Sequence, residues 1–295
     1  MRTGKVILTV LCITALLTAC STSQKHSSSS RYAQAQDSAP DRAVDLAAVE
    51  DAIPRAEPKS RYGNPTSYVV FGKRYHTLTS SKGYSDRGIA SWYGTKFHGH
   101  RTSSGEPYDM YQMSAAHKTL PLPTYARVTN LGNGKSVIVK INDRGPFHDN
   151  RIIDLSYAAA SRLDILGKGT GLVEVQTIDP HSHTPVPAKR STVLASKPKV
   201  AGIQPVDKVE HKNTEYKPSL YLQVGAFLSR GNAERLKTRL SSTELPGTLQ
   251  ISEGLSGQKP IYRVRIGPLA SVKSADKLTQ FLSEQGIESP RVVID

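Results

Sequence analysis

Between residues 181 and 217 the chain reads "HSHTPVPAKRSTVLASKPKVAGIQPVDKVEHKNTEYK", a run with four prolines and no apolar period of either 2 or 3.6 residues. Such a stretch reads as a linker, and the densely patterned sequence on both sides of it must therefore form separate cores. A length of 295 residues suits that division, because a single core stops growing below that size. The hydrophobic fraction of 37% agrees with linkers diluting the folded units. The formal charge of +14 is unevenly placed: residues 83–180 carry an excess of only two positive charges and residues 218–295 an excess of three. No folded block thus has the basic footprint of a nucleic-acid binder.

The chain opens with Arg2 and Lys5, an apolar run from Val6 to Leu17, and "LTAC" ending at Cys20. This is the pattern of an export signal, with a run too short to span a bilayer as a mature helix. "LTAC" resembles the bacterial lipobox. That resemblance implies removal of residues 1–19, lipid modification of Cys20 and attachment to a membrane, and Ser21 in the next position resembles lipoproteins sorted to the outer membrane. Cys12 leaves with the signal, so no internal disulfide or cysteine metal site is expected. Residues 20–64, beginning "CSTSQKHSSSS", are expected to be a lipidated flexible tether.

From Tyr68 the pattern tightens. "YVVFGKRYHTL" holds two short β-type runs around Gly72-Lys73, and "TYARVTNL-GNGK-SVIVKIN" reads as a β-hairpin with positive-φ positions in Gly132-Asn133-Gly134. "DLSYAAASRLDILG" reads as one helix capped by Asp154 or Ser156 and stopped by Gly167, and "GLVEVQTID" as a closing strand. Many short strands with Gly-rich turns predict a small closed β-barrel over residues 65–180. Residues 218–295 follow the order βαββαβ, a small α+β domain.

Glu106, Asp109, His117 and Asp143 are the polar residues that draw attention in the barrel block. Each alone has a plain structural reading: a solvated loop carboxylate, a turn-former before Gly145-Pro146, or a hydrogen-bonded histidine. Together they fall at strand ends and in Gly-rich loops, where binding residues concentrate. The aromatics Trp92, Tyr93, Phe97 and Tyr108 lie near them in sequence and suit either sugar stacking or a core. The pairs His98/His100 and His181/His183 fall in a loop and in the linker, so no metal is expected. No Ser-His-Asp arrangement or phosphate loop is present.

"GIASWYG", "FHGHRTSSGEPYDMYQMSAAHKTLPLPTYARVTN", "VKINDRGPF" and "RIIDLSYAAASRL" resemble the rare lipoprotein A family. The resemblance implies a six-stranded double-psi β-barrel and lytic transglycosylase activity on peptidoglycan glycan strands stripped of their stem peptides. It places the functional positions on Glu106, Asp109, His117 and Asp143, implies no cofactor, and allows a non-catalytic, glycan-binding or scaffolding member. "YLQVGAF" and "YRVRIGP" resemble a SPOR domain, the module that binds such denuded strands at division sites. Septal localisation in the periplasm, with divisome proteins as potential partners, follows from the same resemblance. An RNA-binding reading of βαββαβ fails, since neither stretch fits the RNP1 pattern and an exported protein would not meet RNA.

Cleavage between MurNAc and GlcNAc requires a protonated carboxyl to donate to the leaving oxygen while oxocarbenium-like charge develops on the sugar. A transglycosylase needs no activated water, because the C6 hydroxyl of MurNAc attacks its own anomeric carbon. Asp143 is assigned as that acid, with Glu106 as charge stabiliser or second acid/base, and Asp109 and His117 as orienting groups. Trp92, Tyr93 and Arg144 are expected to contact substrate in the barrel, and Gln223, Phe227 and Arg265 in the second domain. Arg144 beside Asp143 would oppose general-acid work if the two side chains met. Alternation turns them to opposite faces if the strand continues that far.

Overall fold

The computed structural model describes residues 34, 36–42, 44–46, 48–181, 218–287 and 290–295. The signal segment, the lipid-modified Cys20 and nearly all of the linker lie outside the described residues. Among the described residues, no helix is long and apolar enough to cross a membrane.

Phe71 and Gly72 both take positive φ, 49° and 77°, as a two-residue type I′ turn demands. They join β1 (Ser67–Val70) to β2 (Lys73–His76), matching the two runs read from the sequence. Six strands then close a barrel: β3 (Ser85–Tyr93), β4 (Ser114–His117), β5 (Thr124–Asn130), β6 (Ser136–Asp143), β7 (Arg151–Ser156) and β8 (Gly171–Thr177), in the order β3-β7-β4-β6-β5-β8. β3 and β7 run parallel, as do β4 and β6, and the remaining pairs are antiparallel. The expected β5–β6 hairpin is present, although only Gly134 (φ 73°) of its Gly-Asn-Gly turn is left-handed. Val128, Val139, Ile141, Ile153, Leu155 and Val173 fill the interior with essentially no exposure. Each contributes about 2 kcal/mol by leaving water.

The helix expected over 154–167 is much shorter. Asp154 belongs to β7, Ser156 is the N-cap and accepts from Ala159 N at 3.2 Å, and α1 spans only Tyr157–Arg162. Asp164, at φ 58°, breaks the helix, and a 3-10 turn (Leu166–Lys168) follows.

Part of the segment expected to be tether lies against the barrel. Asp37 accepts from Gly94 N (2.7 Å) and Lys96 N (3.0 Å), Ala52 N donates to Ile138 O (3.0 Å), and Ser60 N donates to Leu122 O (2.7 Å). Leu46 is buried. The described part of the segment has no strand or helix period because it forms neither. Its backbone is satisfied by groups of the barrel instead.

The second domain has the predicted order: β9 (Leu220–Phe227), α2 (Arg230–Ser241), β10 (Thr248–Ser256), β11 (Lys259–Leu269), α3 (Val272–Glu284) and β12 (Arg291–Ile294). Its four antiparallel strands are ordered β10-β11-β9-β12. Leu222, Val264 and Ile266 meet Ala233, Ala275, Leu278 and Leu282 of the helices in one core.

Candidate active site

β6 carries the site, and a slip in its pairing aims the key side chain. Ala115 pairs with Ile141, but Ala116 pairs with Asp143, leaving Asn142 as an extra residue. Such a bulge breaks the alternation and re-aims the next side chain along the strand. Asp143 therefore shares the face of Ala116, which packs with Tyr93, Tyr108 and Met110 outside the barrel core, and not that of Ile141 and Ala115 within it.

Three donors converge on one oxygen of Asp143. Ser103 N, Ser103 Oγ and Arg144 N all reach Oδ1 at 2.7 Å. Oδ2 has no hydrogen bond among the described residues. The guanidinium of Arg144 turns away from it. Nε donates to Gly63 O (2.8 Å), Nη1 to Leu120 O (2.5 Å) and His117 O (3.2 Å), and Nη2 to Asn64 Oδ1 (3.2 Å). Arg144 also lies over the Tyr68 ring, 5.9 Å from its centroid. It thus staples the 63–64 turn to the β4–β5 loop, and the hydrogen bond it gives Asp143 comes from its backbone N–H. The two side chains form no direct ion pair, although their charges still feel each other.

Gly63 is part of this staple. Its φ is +78°, and a Cβ there would stand 2.7 Å from Ser103 O and 2.9 Å from Leu122 Cδ1. Gly63→Ala is expected to cost about 1–3 kcal/mol of stability. Because Ser103 holds Asp143, activity should fall further than the unfolded fraction explains, which paired denaturation and turnover measurements would show.

Glu106 is held in a different way. Oε1 accepts from Lys140 Nζ and Oε2 from Asn142 Nδ2, both at 2.8 Å, so each oxygen already faces a donor. Lys140 also reaches Glu57 Oε2 at 3.1 Å, and Tyr125 OH donates to Glu57 Oε1 in a short contact. Burial draws the Lys140 pKa down, but its bonds to Glu106 and Glu57 outweigh that and push it up. For Glu57 burial raises the pKa, and the bonds from Tyr125 and Lys140 prevail and lower it. Glu106, Asp109, Tyr111, Tyr125, Lys140 and Asn142 line one side of a cavity of about 590 Å³, and residues 48–53 with Arg55 line the other. Asn142 is 6% exposed and its Oδ1 is buried with no donor among the described residues.

The two residues assigned to orient the carboxylates behave differently. Asp109 lines the cavity, accepts from Tyr111 N at 3.0 Å and lies 3.8 Å from His98 Nδ1. His117 touches neither Glu106 nor Asp143. Its Nδ1 accepts from Thr119 N (3.2 Å) and Leu120 N (3.0 Å), which places the ring proton on Nε2, 3.0 Å from Tyr84 OH. Burial, followed by the charges of Arg144 and Lys118, depresses its pKa to about 3, so the ring is neutral. Its influence on the site runs through its carbonyl, which anchors Arg144.

The two aromatics expected to contact substrate are both engaged in ring packing. Tyr93 is 8% exposed and stacked on buried Tyr108 at 4.0 Å, and Trp92 packs edge-on against Tyr157 at 5.7 Å. The rings that line the cavity are Tyr111 and Tyr125. Sequence reasoning passed over Ser103, Tyr125, Lys140 and Asn142. A signal for the last two exists in "SVIVKIND", where polar residues two apart interrupt an apolar strand. Among the described residues no cluster of His, Cys, Asp and Glu could hold a metal ion.

In the second domain Gln223 pairs with Arg265 on one side and Arg291 on the other, a row across one sheet face, and Arg265 is bonded to Asp295 Oδ2 at 2.7 Å. Phe227 is not in that row. The register slips at Val224, so Phe227 pairs with Tyr262 on the helix side, and a Cβ on Gly225 would meet the Phe227 ring at 2.7 Å and Leu236 at 2.8 Å. Phe227 packs on the core there.

Residues 85–176 match the family described as lytic transglycolase, and residues 217–292 match the SPOR domain. The endolytic peptidoglycan transglycosylase RlpA of Pseudomonas aeruginosa strain UCBPP-PA14 is 39% identical over 290 residues, covering 88% of this chain and 84% of that one. The protein of the same name from Vibrio cholerae serotype O1 is 46% identical over 200 residues, covering 68% and 74%. The crystal structure of the RlpA SPOR domain from Pseudomonas aeruginosa is 34% identical, with a TM-score of 0.24, over 25% of this chain and 96% of that one. With a barrel, a SPOR domain and relatives of this similarity along most of its length, the chain belongs to the RlpA family of endolytic peptidoglycan transglycosylases.

Proposed function

We propose that this protein is a lytic transglycosylase that cuts the MurNAc-β-1,4-GlcNAc bond of peptide-free glycan strands at the division septum, anchored in the outer membrane through Cys20. The observation that carries the catalytic reading is the asymmetry of Asp143: among the described residues three donors hold Oδ1 and none holds Oδ2. Asp143 Oδ2 delivers its proton to the leaving GlcNAc oxygen as the glycosidic bond breaks. Glu106, kept in place by Lys140 and Asn142, offers negative charge to the developing oxocarbenium ion. The MurNAc C6 hydroxyl then attacks C1 and returns its proton to Asp143, which regenerates the acid and leaves a 1,6-anhydro end. Asp109 lines the same cavity as Glu106, and His117 acts as a positioning residue through Arg144. The SPOR domain holds the enzyme on glycan through the Gln223 and Arg265 face, in keeping with the peptidoglycan named in its relatives' activity.

Incubating the purified protein with amidase-treated peptidoglycan should release 1,6-anhydro-ended glycan, identified by mass spectrometry. Release of reducing ends alone would show a hydrolase. No release would leave a glycan-binding scaffold as the function.

A further inference from the structure

Tyr125 and Lys140 are direct cross-strand partners on β5 and β6, so their hydroxyl and ammonium are set side by side by the barrel itself. They line the same cavity as Glu106. What they hold is a carboxylate supplied from outside the sheet. Glu57 comes from the irregular segment that crosses the barrel, and it places one oxygen on Tyr125 OH and the other on Lys140 Nζ, 3.1 Å away. A rigid cation and hydroxyl meeting both oxygens of a carboxylate on a loop form a receptor for a carboxylate, occupied by an internal one.

We infer that Tyr125 and Lys140 form the subsite for the lactyl carboxylate of a muramoyl residue, and that Glu57 is a displaceable stand-in for it. This rests on the peptide-free glycan reading above and gives that reading a chemical basis. In a strand that carries stem peptides the lactyl group is an amide, uncharged and extended by a peptide. Removing the peptide exposes a carboxylate with the same two acceptor oxygens as Glu57. The receptor therefore favours the stripped strand, and Glu57 sets a threshold that the substrate must overcome. Both groups of the resting pair are kept charged, in accord with the raised pKa of Lys140 and the lowered one of Glu57. Glu57 and Lys140 retain about 31% and 22% side-chain exposure, so a substrate group can reach them.

The test compares N-acetylmuramic acid with its methyl ester as ligands of the full chain, by ligand-observed NMR, alongside turnover of amidase-treated peptidoglycan. Glu57→Gln, which leaves Asp143 and Glu106 untouched, should bind the acid about fivefold more tightly than wild type, and Tyr125→Phe about fivefold more weakly. The ester should respond to neither substitution. In turnover, Glu57→Gln should lower KM for stripped glycan with kcat unchanged. Equal responses of acid and ester, or an unchanged affinity in Glu57→Gln, would overturn the subsite. Because the binding arm needs no turnover, that failure is distinct from a failure of wild type to release anhydro products, which would overturn the catalytic reading.

Discussion

Asp143→Asn is expected to lower kcat on peptide-free glycan by about 10³-fold while leaving the fold intact. Asparagine keeps an oxygen in the position of Oδ1, where Ser103 N, Ser103 Oγ and Arg144 N can still donate to it. Only the other atom changes, from an oxygen that can carry and return a proton to an amide nitrogen that cannot. Thermal stability should therefore stay close to wild type, and stripped glycan should still bind. Ser103→Ala is a graded companion: it removes one of three donors, holds the carboxyl less firmly, and should reduce kcat about tenfold. Activity of Asp143→Asn within threefold of wild type, with an unchanged melting temperature, would move the acid role elsewhere. Glu106 is the poorer candidate on geometry, because both its oxygens already accept from Lys140 and Asn142.

The closed barrel, the β5–β6 hairpin and the βαββαβ order of the second domain were legible because they rest on local signals. Alternation marks strands, a Gly-rich turn marks a hairpin, and a proline-rich run marks a boundary. Three of the parts that were not legible share one physical cause: a single inserted or left-handed residue that carries no sequence mark. The bulge at Asn142 put Asp143 on the outer face, and the bulge at Val224 moved Phe227 from the sheet face of Gln223 to the helix side. Simple alternation reads both residues wrongly for that reason. Asp164 at positive φ cut the expected helix to six residues. Arg144 is the instructive case. Alternation turned it away from Asp143, which agrees with the structure, but its four acceptors come from Gly63, Asn64, His117 and Leu120, which no local pattern brings together. Glu57 was hidden for a related reason: its segment has no period of its own, and only the assembled barrel gives it partners.

His117→Ala is expected to cost about 3–5 kcal/mol at pH 7, because it leaves the Thr119 and Leu120 N–H groups without their acceptor and opens a cavity beside Tyr84. The size of that cost should depend on pH, with a sign fixed by the environment of the ring. In the folded protein the pKa of His117 is depressed to about 3. Between the ordinary value near 6.5 and about 3, the unfolded chain therefore binds a proton that the folded chain refuses, and stability drains away as pH falls. Through His117 each pH unit in that window removes about 1.4 kcal/mol from wild type, a loss the alanine variant does not share, so the gap between them should narrow by about 3 kcal/mol on going from pH 6.5 to 4. Asp154 titrates in the same range in the opposite sense: burial raises its pKa to about 6, so the folded state takes up its proton first and gains stability as pH falls. That term is common to both proteins and cancels in the difference. Chemical denaturation of the pair at pH 7, 5.5 and 4 measures it, and a gap that does not change with pH would mean that the ring is not held neutral. The carbonyl of His117 is backbone and survives the substitution, but the loop that presents it and Leu120 O to Arg144 loses its internal acceptor. Turnover at pH 7, where the variant is still mostly folded, should therefore fall in kcat more than in KM, since Arg144 positions the acid and leaves the glycan-binding face untouched.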